Sequence, residues 1–140
     1  MGFKLTVKGK EKIHFGVDVI RHVHVEVSTP NDSRAKSSDA AVTMWVTGKI
    51  LSTDNSETLK LFKWSLVPAQ SSDAYRSVTV EVITDSTVIR DICLPNAFVI
   101  DYNERFSDNT GVGEFALVLR QKADKILDVT PEGGLKLEVL

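Results

Sequence analysis

Along most of this chain apolar and polar residues alternate one for one, the period of a strand with one buried face. In FKLTVK, Phe3, Leu5 and Val7 share a side, and Gly9-Lys10 offers a turn before KIHF. In VDVIRHVHVEV, Val17, Val19, Val23, Val25 and Val27 fall in step. Arg21 interrupts that row, and Asp18, Ile20, His22, His24 and Glu26 take the opposite face. VTMWVTGKI places Val42, Met44, Val46 and Ile50 on one side and Thr43, Trp45, Thr47 and Lys49 on the other. Gly48 stands where a large apolar side chain is expected, which predicts a bulge or a close backbone approach. Further strands are predicted at SVTVEVI, with Val78, Val80 and Val82 in step, and at VIRDICL, which Pro95 is expected to end. AFVIDYNERF puts Phe98, Ile100, Tyr102 and Phe106 on one face; EFALVLRQK turns Phe115, Leu117 and Leu119 inward. TDST, SDNTGVG and PEGG read as turns.

One stretch changes period. In TDNSETLKLFKWSLVP, Leu59, Phe62 and Leu66 recur at intervals of three and four, which predicts a helix near residues 55–66. Asp54 and Glu57 have the spacing of a capping box, and Pro68 stops the helix. Leu61 and Trp64 widen the apolar surface, and Trp64 is expected at the contact between helix and sheet. The expected fold is mainly β: a small antiparallel β-barrel, or sandwich-like barrel, of seven or eight strands with one α-helix over one opening. Closure would remove exposed strand edges. With no internal repeat or linker, residues 1–140 are expected to form a single domain.

Composition narrows the partners. A chain of 140 residues can bury a core without staples, and its formal net charge of −2, with no basic stripe, argues against nucleic acid. MGFKLTVKGK lacks the apolar stretch of a signal peptide, so cytoplasmic synthesis is expected. No apolar run approaches the roughly 18 residues of a spanning helix, so no membrane insertion of the monomer is expected. Cys93, the single cysteine, reads as a small buried residue in a strand.

Candidate chemistry is sparse. His22, His24 and Glu26 project from one strand face, with the two histidine α-carbons about 6.7 Å apart. A flat row does not converge as a tetrahedral metal site must, so no metal is expected. The chain has no G-x-S-x-G, no H-E-x-x-H and no glycine-rich phosphate loop opening a helix. No enzyme activity, catalytic residue or cofactor is therefore expected. Trp45 falls on the polar side of its strand, where a tryptophan marks a contact surface, for another subunit in preference to a ligand.

STPNDSRAKSSDA, residues 28–40, is too long for a tight hairpin and has no large apolar side chain. It carries both signs of charge, with Asp32, Arg34, Lys36 and Asp39, and no glycine. Such a segment is either a plain surface loop or one that orders against a partner.

The segments DSRAKSSDAAVTMWVTGKI, LFKWSLVPAQSSDAYRSVTVEVI, LPNAFVIDYNERFSDNTGVGEFALVLRQK and PEGG resemble those of a group of small Firmicutes proteins. Their fold is similar to that of the hemolysin-coregulated protein of type VI secretion and of phage tail-tube proteins. The resemblance implies a structural subunit of a phage-tail-like contractile or type VI-like secretion apparatus. Its partners would be itself, in a ring of six that stacks into a tube, and the sheath or baseplate proteins of the apparatus, with which it would be exported. Self-assembly would use strand edges and the 28–40 loop, with Asp32, Ser33, Arg34, Lys36 and Trp45 against a neighbouring subunit. The alternative is a monomeric β-barrel binding or adaptor module that uses Trp45, for example on a carbohydrate.

Overall fold

The period-two segments do become strands. In this computed structural model, which describes residues 1–29 and 40–134, they are β1 (Gly2–Lys8), β2 (Lys12–Phe15), β3 (Ile20–Ser28), β4 (Ala41–Ile50), β5 (Arg76–Thr84), β6 (Thr87–Arg105), β7 (Gly113–Gln121) and β8 (Thr130–Gly133). Among the described residues, one helix, α1 (Ser56–Ser65), and 3-10 segments at Ser72–Ala74 and Ala123–Asp128 interrupt them. All pairings are antiparallel, in the order β2-β1-β5-β6-β7-β4-β3, and β8 joins β6. The sheet rolls until residues of β1 and β3 lie within 8 Å, Cα to Cα, yet no ladder joins the two strands. The expected barrel is thus one open, rolled antiparallel sheet of eight strands.

Its concave face holds the core. Leu5, Val7, Ile13, Phe15, Met44, Val46, Val78, Val80, Leu94, Phe115, Leu117 and Leu119 are buried there, as the alternation requires. Each such side chain stabilises the fold by about 1.5–3 kcal/mol relative to exposure. Aromatic packing runs through this face, with Phe15 and Phe115 ring centroids 5.7 Å apart and Tyr102 stacked on Phe115 at 6.3 Å.

Bulges change the phase that simple alternation assigns. Ile20 pairs with Gly48, but the next pair is His22 with Thr47, so Arg21 is an extra residue in β3. An extra residue flips the sequel to the other face. Ile20 is therefore buried although it alternates with the histidines, and Arg21 points out instead of breaking the core row. Val17 and Val19 precede the strand, and Val17 is exposed. A second shift, between Val99 and Asp101, turns Val99 and Tyr102 to the core and leaves Ile100 exposed, so the expected Phe98, Ile100, Tyr102 and Phe106 row does not share a face.

Pro95 does not end a strand. β6 runs through it for 19 residues, pairing β5 with its first half and β7 with its second. Three steps from Leu94 to Ala97 oppose two from Val78 to Arg76, so Pro95 lies in a bulge, where its missing N–H breaks no ladder bond. The buried Gln121 closes this bulge: its Oε1 accepts from the Asn96 N–H at 3.0 Å, and its Nε2 donates to the Lys125 carbonyl at 2.8 Å. Thr130–Gly133 pairs with Cys93–Arg90, so most of PEGG is a strand. Cys93 is half-buried, its Sγ 3.7 Å from Ser77 Oγ.

The helix presents a different stripe from the expected one. Thr58, Leu61 and Trp64 are buried, whereas Leu59, Phe62 and Leu66 are 52%, 41% and 69% exposed. Trp64 does meet the sheet core, and its Nε1 donates to the Ala74 carbonyl at 3.0 Å. The guanidinium of Arg76 lies 5.2 Å from the Trp64 ring centroid and pairs with Asp73 at 2.7 Å. No capping box forms. Asn55 is the N-cap, but its side chain caps no helix N–H and donates instead to the Leu51 carbonyl at 3.2 Å; Thr58 Oγ1 donates to the Asn55 carbonyl at 2.8 Å, and Glu57 reaches elsewhere.

Candidate subunit interface

Of the five residues expected at a subunit contact, Asp32, Ser33, Arg34 and Lys36 lie outside the described residues. Trp45 lies on the convex face of β4, opposite His24 of β3 and Val118 of β7. It is half-buried, with its ring centroid 5.0 Å from that of His24. Cross-strand neighbours on one face touch in this way because their Cβ atoms stand about 5 Å apart.

Around Trp45 the convex face is polar but tied together. His24 Nε2 lies 3.5 Å from Glu26 Oε2. Arg120 Nε donates to Thr43 Oγ1 at 3.3 Å, and Thr43 is buried beneath it. The bulge aims Arg21 across β4, where its Nη1 donates to Glu114 Oε1 of β7 at 3.1 Å. His22, His24 and Glu26 form an exposed row, and among the described residues no three His, Cys, Asp or Glu side chains converge as a metal site. These groups can make polar contacts to a partner surface.

The two ends of the strand order differ. At β2, the outward His14 N–H donates to Glu57 Oε2 at 2.9 Å, and Lys60 Nζ donates to the Lys12 carbonyl at 3.3 Å. Glu57 and Lys60 are themselves paired at 2.7 Å. Burial alone would raise the Glu57 carboxyl, but Lys60 and the His14 N–H outweigh it and hold it below its ordinary 4.5. The Glu57 bond lifts Lys60 above 10.5. At β3, among the described residues, no side chain caps a main-chain group along the outer edge. Val27, near the end of β3, is 68% exposed.

Sequence reasoning missed the edge contact of Glu57 and Lys60, although their i, i+3 spacing on a helix is a pairing signal. The exposed Phe106 and Leu127 were also missed as surface features. Among the described residues, no helix is long and apolar enough to cross a membrane.

No family model matches this chain, and no curated protein matches it. Solved structures do. Hcp1 from Flavobacterium johnsoniae superposes with a TM-score of 0.62 at 16% identity, covering 96% of this chain and 97% of that one. This chain has the fold of Hcp1. A chain of the PVC sheath-tube complex of an extracellular contractile injection system, in its extended state, gives 0.54 at 14% identity over 95% of this chain and 89% of that one. Hcp1 from the E. coli EAEC 042 pathovar gives 0.55 at 11% identity over 95% and 99%. At such identities the Hcp1 likeness is a likeness of fold.

Proposed function

We propose that this chain is a structural tube or ring subunit of a contractile, phage-tail-like or type VI-like injection apparatus. The observation that carries the reading is coverage: the fold matches those of Hcp1 and of a sheath-tube complex over nearly the full length of this chain and most or all of each counterpart. A fold can host unrelated activities, so the reading also leans on surface design. The convex face carries paired polar groups around Trp45, and β3 ends the main strand path with an edge that, among the described residues, no side chain caps. Addition of a strand at such an edge supplies main-chain hydrogen bonds to a partner. A head-to-tail contact that closes builds a ring, for which six copies is the expected number. Asp32, Ser33, Arg34, Lys36 and Trp45 are proposed to touch the neighbouring copy, and sheath or baseplate proteins to be the further partners.

Light scattering and negative-stain microscopy across a concentration series test this. Rings, or tubes of stacked rings, are the expected result. A monomer at the highest concentrations would instead favour a binding module that presents Trp45.

A further inference from the structure

A strand that adds to one end of an open sheet can add to the other end by the same main-chain chemistry. Among the described residues the main strand path ends at β2 and β3, and β8, paired to β6 alone, is a further terminal strand. Each edge left open is a template for pairing with another copy, so covering one edge removes one mode of association. The two ends are treated unequally. On β2 the His14 N–H and the Lys12 carbonyl are occupied by Glu57 and Lys60, two charged side chains reaching down from α1. They are bound to each other, so both are held over the edge. On β3 no comparable cover exists among the described residues.

We propose that Glu57 and Lys60 close the β2 edge to strand addition by a second copy of this chain. Closure of β2 stands on its own contacts and does not depend on the ring reading. Charged groups on an edge oppose strand addition because the incoming backbone must displace their hydrogen bonds and bury their charge. The helix supplies them at no loss to itself, since both positions face the strand rather than the core. The His14 side chain supports the orientation: its ring bonds Thr6 Oγ1 on β1 at 2.9 Å, while its main-chain N–H faces the helix.

The experiment is the double variant Glu57→Ala, Lys60→Ala. Alanine preserves helix propensity, so α1 is expected to survive. Amide exchange at His14 is expected to speed up by about tenfold or more, since its bond is lost. Sedimentation at matched concentration is expected to show larger, heterogeneous species than the parent. Adding His14→Pro, which blocks an edge by removing its outward N–H, is expected to return the parent's size distribution. A double variant whose His14 amide exchanges fast while its size distribution stays that of the parent overturns the proposal. Should the double variant melt, Lys60→Ala alone must still increase association over the parent, and its failure to do so also overturns it. A parent that is monomeric throughout counts against the ring reading only; the comparison of variant with parent still decides the edge.

Discussion

Phe115 fills the space above Gly48. A methyl group on Gly48 would stand 2.5 Å from Phe115 Cε2 and 3.0 Å from the Val19 carbonyl oxygen. The glycine is thus part of how the ring of Phe115 enters the core beside Phe15. Gly48→Ala is expected to destabilise the fold by about 1–3 kcal/mol, because the ring or the backbone at Val19 must move. Urea denaturation checks this, and Gly48→Ala with Phe115→Leu is expected to recover part of the loss.

Arg76 is a buried cation, 5% exposed, and Asp73 is its ionic partner. Its Nε also donates to the Asp73 carbonyl at 3.1 Å, while Nη1 finds no partner. Asp73→Ala is expected to cost about 3 kcal/mol, since it leaves the charge buried without compensation. Arg76→Met, which removes the charge and keeps much of the stem against Trp64, is expected to cost less. Denaturation of both variants gives the order, and the reverse order would refute the assignment.

Acid should weaken the contact between α1 and β2. The Glu57 carboxyl is depressed in the folded state, so its contribution is present above 4.5 and is lost as pH falls through the lower folded value. Lys60 is raised, so its contribution is present below 10.5 and is lost as pH rises through the higher folded value. Melting temperatures measured between pH 2 and 6 should fall less steeply in Glu57→Gln than in the parent, relative to each protein's value at pH 6. Equal slopes would show that Glu57 does not feel the edge.

Assembly should respond to the arm and not to the core. Trp45→Ala and Arg34→Ala are each expected to weaken association without unfolding the protein. Deletion of residues 31–38 is expected to leave the sheet folded and to reduce assembly further. Circular dichroism with light scattering separates the two effects; a melted deletion variant would place the loop in the structural core.

Gln121 should behave as a structural strut. Gln121→Leu keeps volume but strands the Asn96 N–H and the Lys125 carbonyl. The expected cost is about 1–3 kcal/mol for the unpaired groups. Exchange at the Asn96 amide should rise at the same time.

Alternation by itself determined most of the strands and their buried faces. Leu5 and Val7, Val78 and Val80, and Phe115, Leu117 and Leu119 lie inward where the pattern puts them, because a half-buried strand has only two faces to offer. The helix was legible as a helix for the same reason, through its period. Which side it buries was not: Leu59, Leu61, Phe62, Trp64 and Leu66 cover much of its circumference, and only the position of the sheet selects Leu61 and Trp64. Tertiary structure also decided the phase at Arg21 and at Ile100, the passage of β6 through Pro95, and the capture of Glu57 by β2 in place of a helix cap. Each depends on a partner strand far away in the chain. A bulge is defined by what it pairs with, and an edge by what fails to pair with it, so neither is written in the residues of one segment.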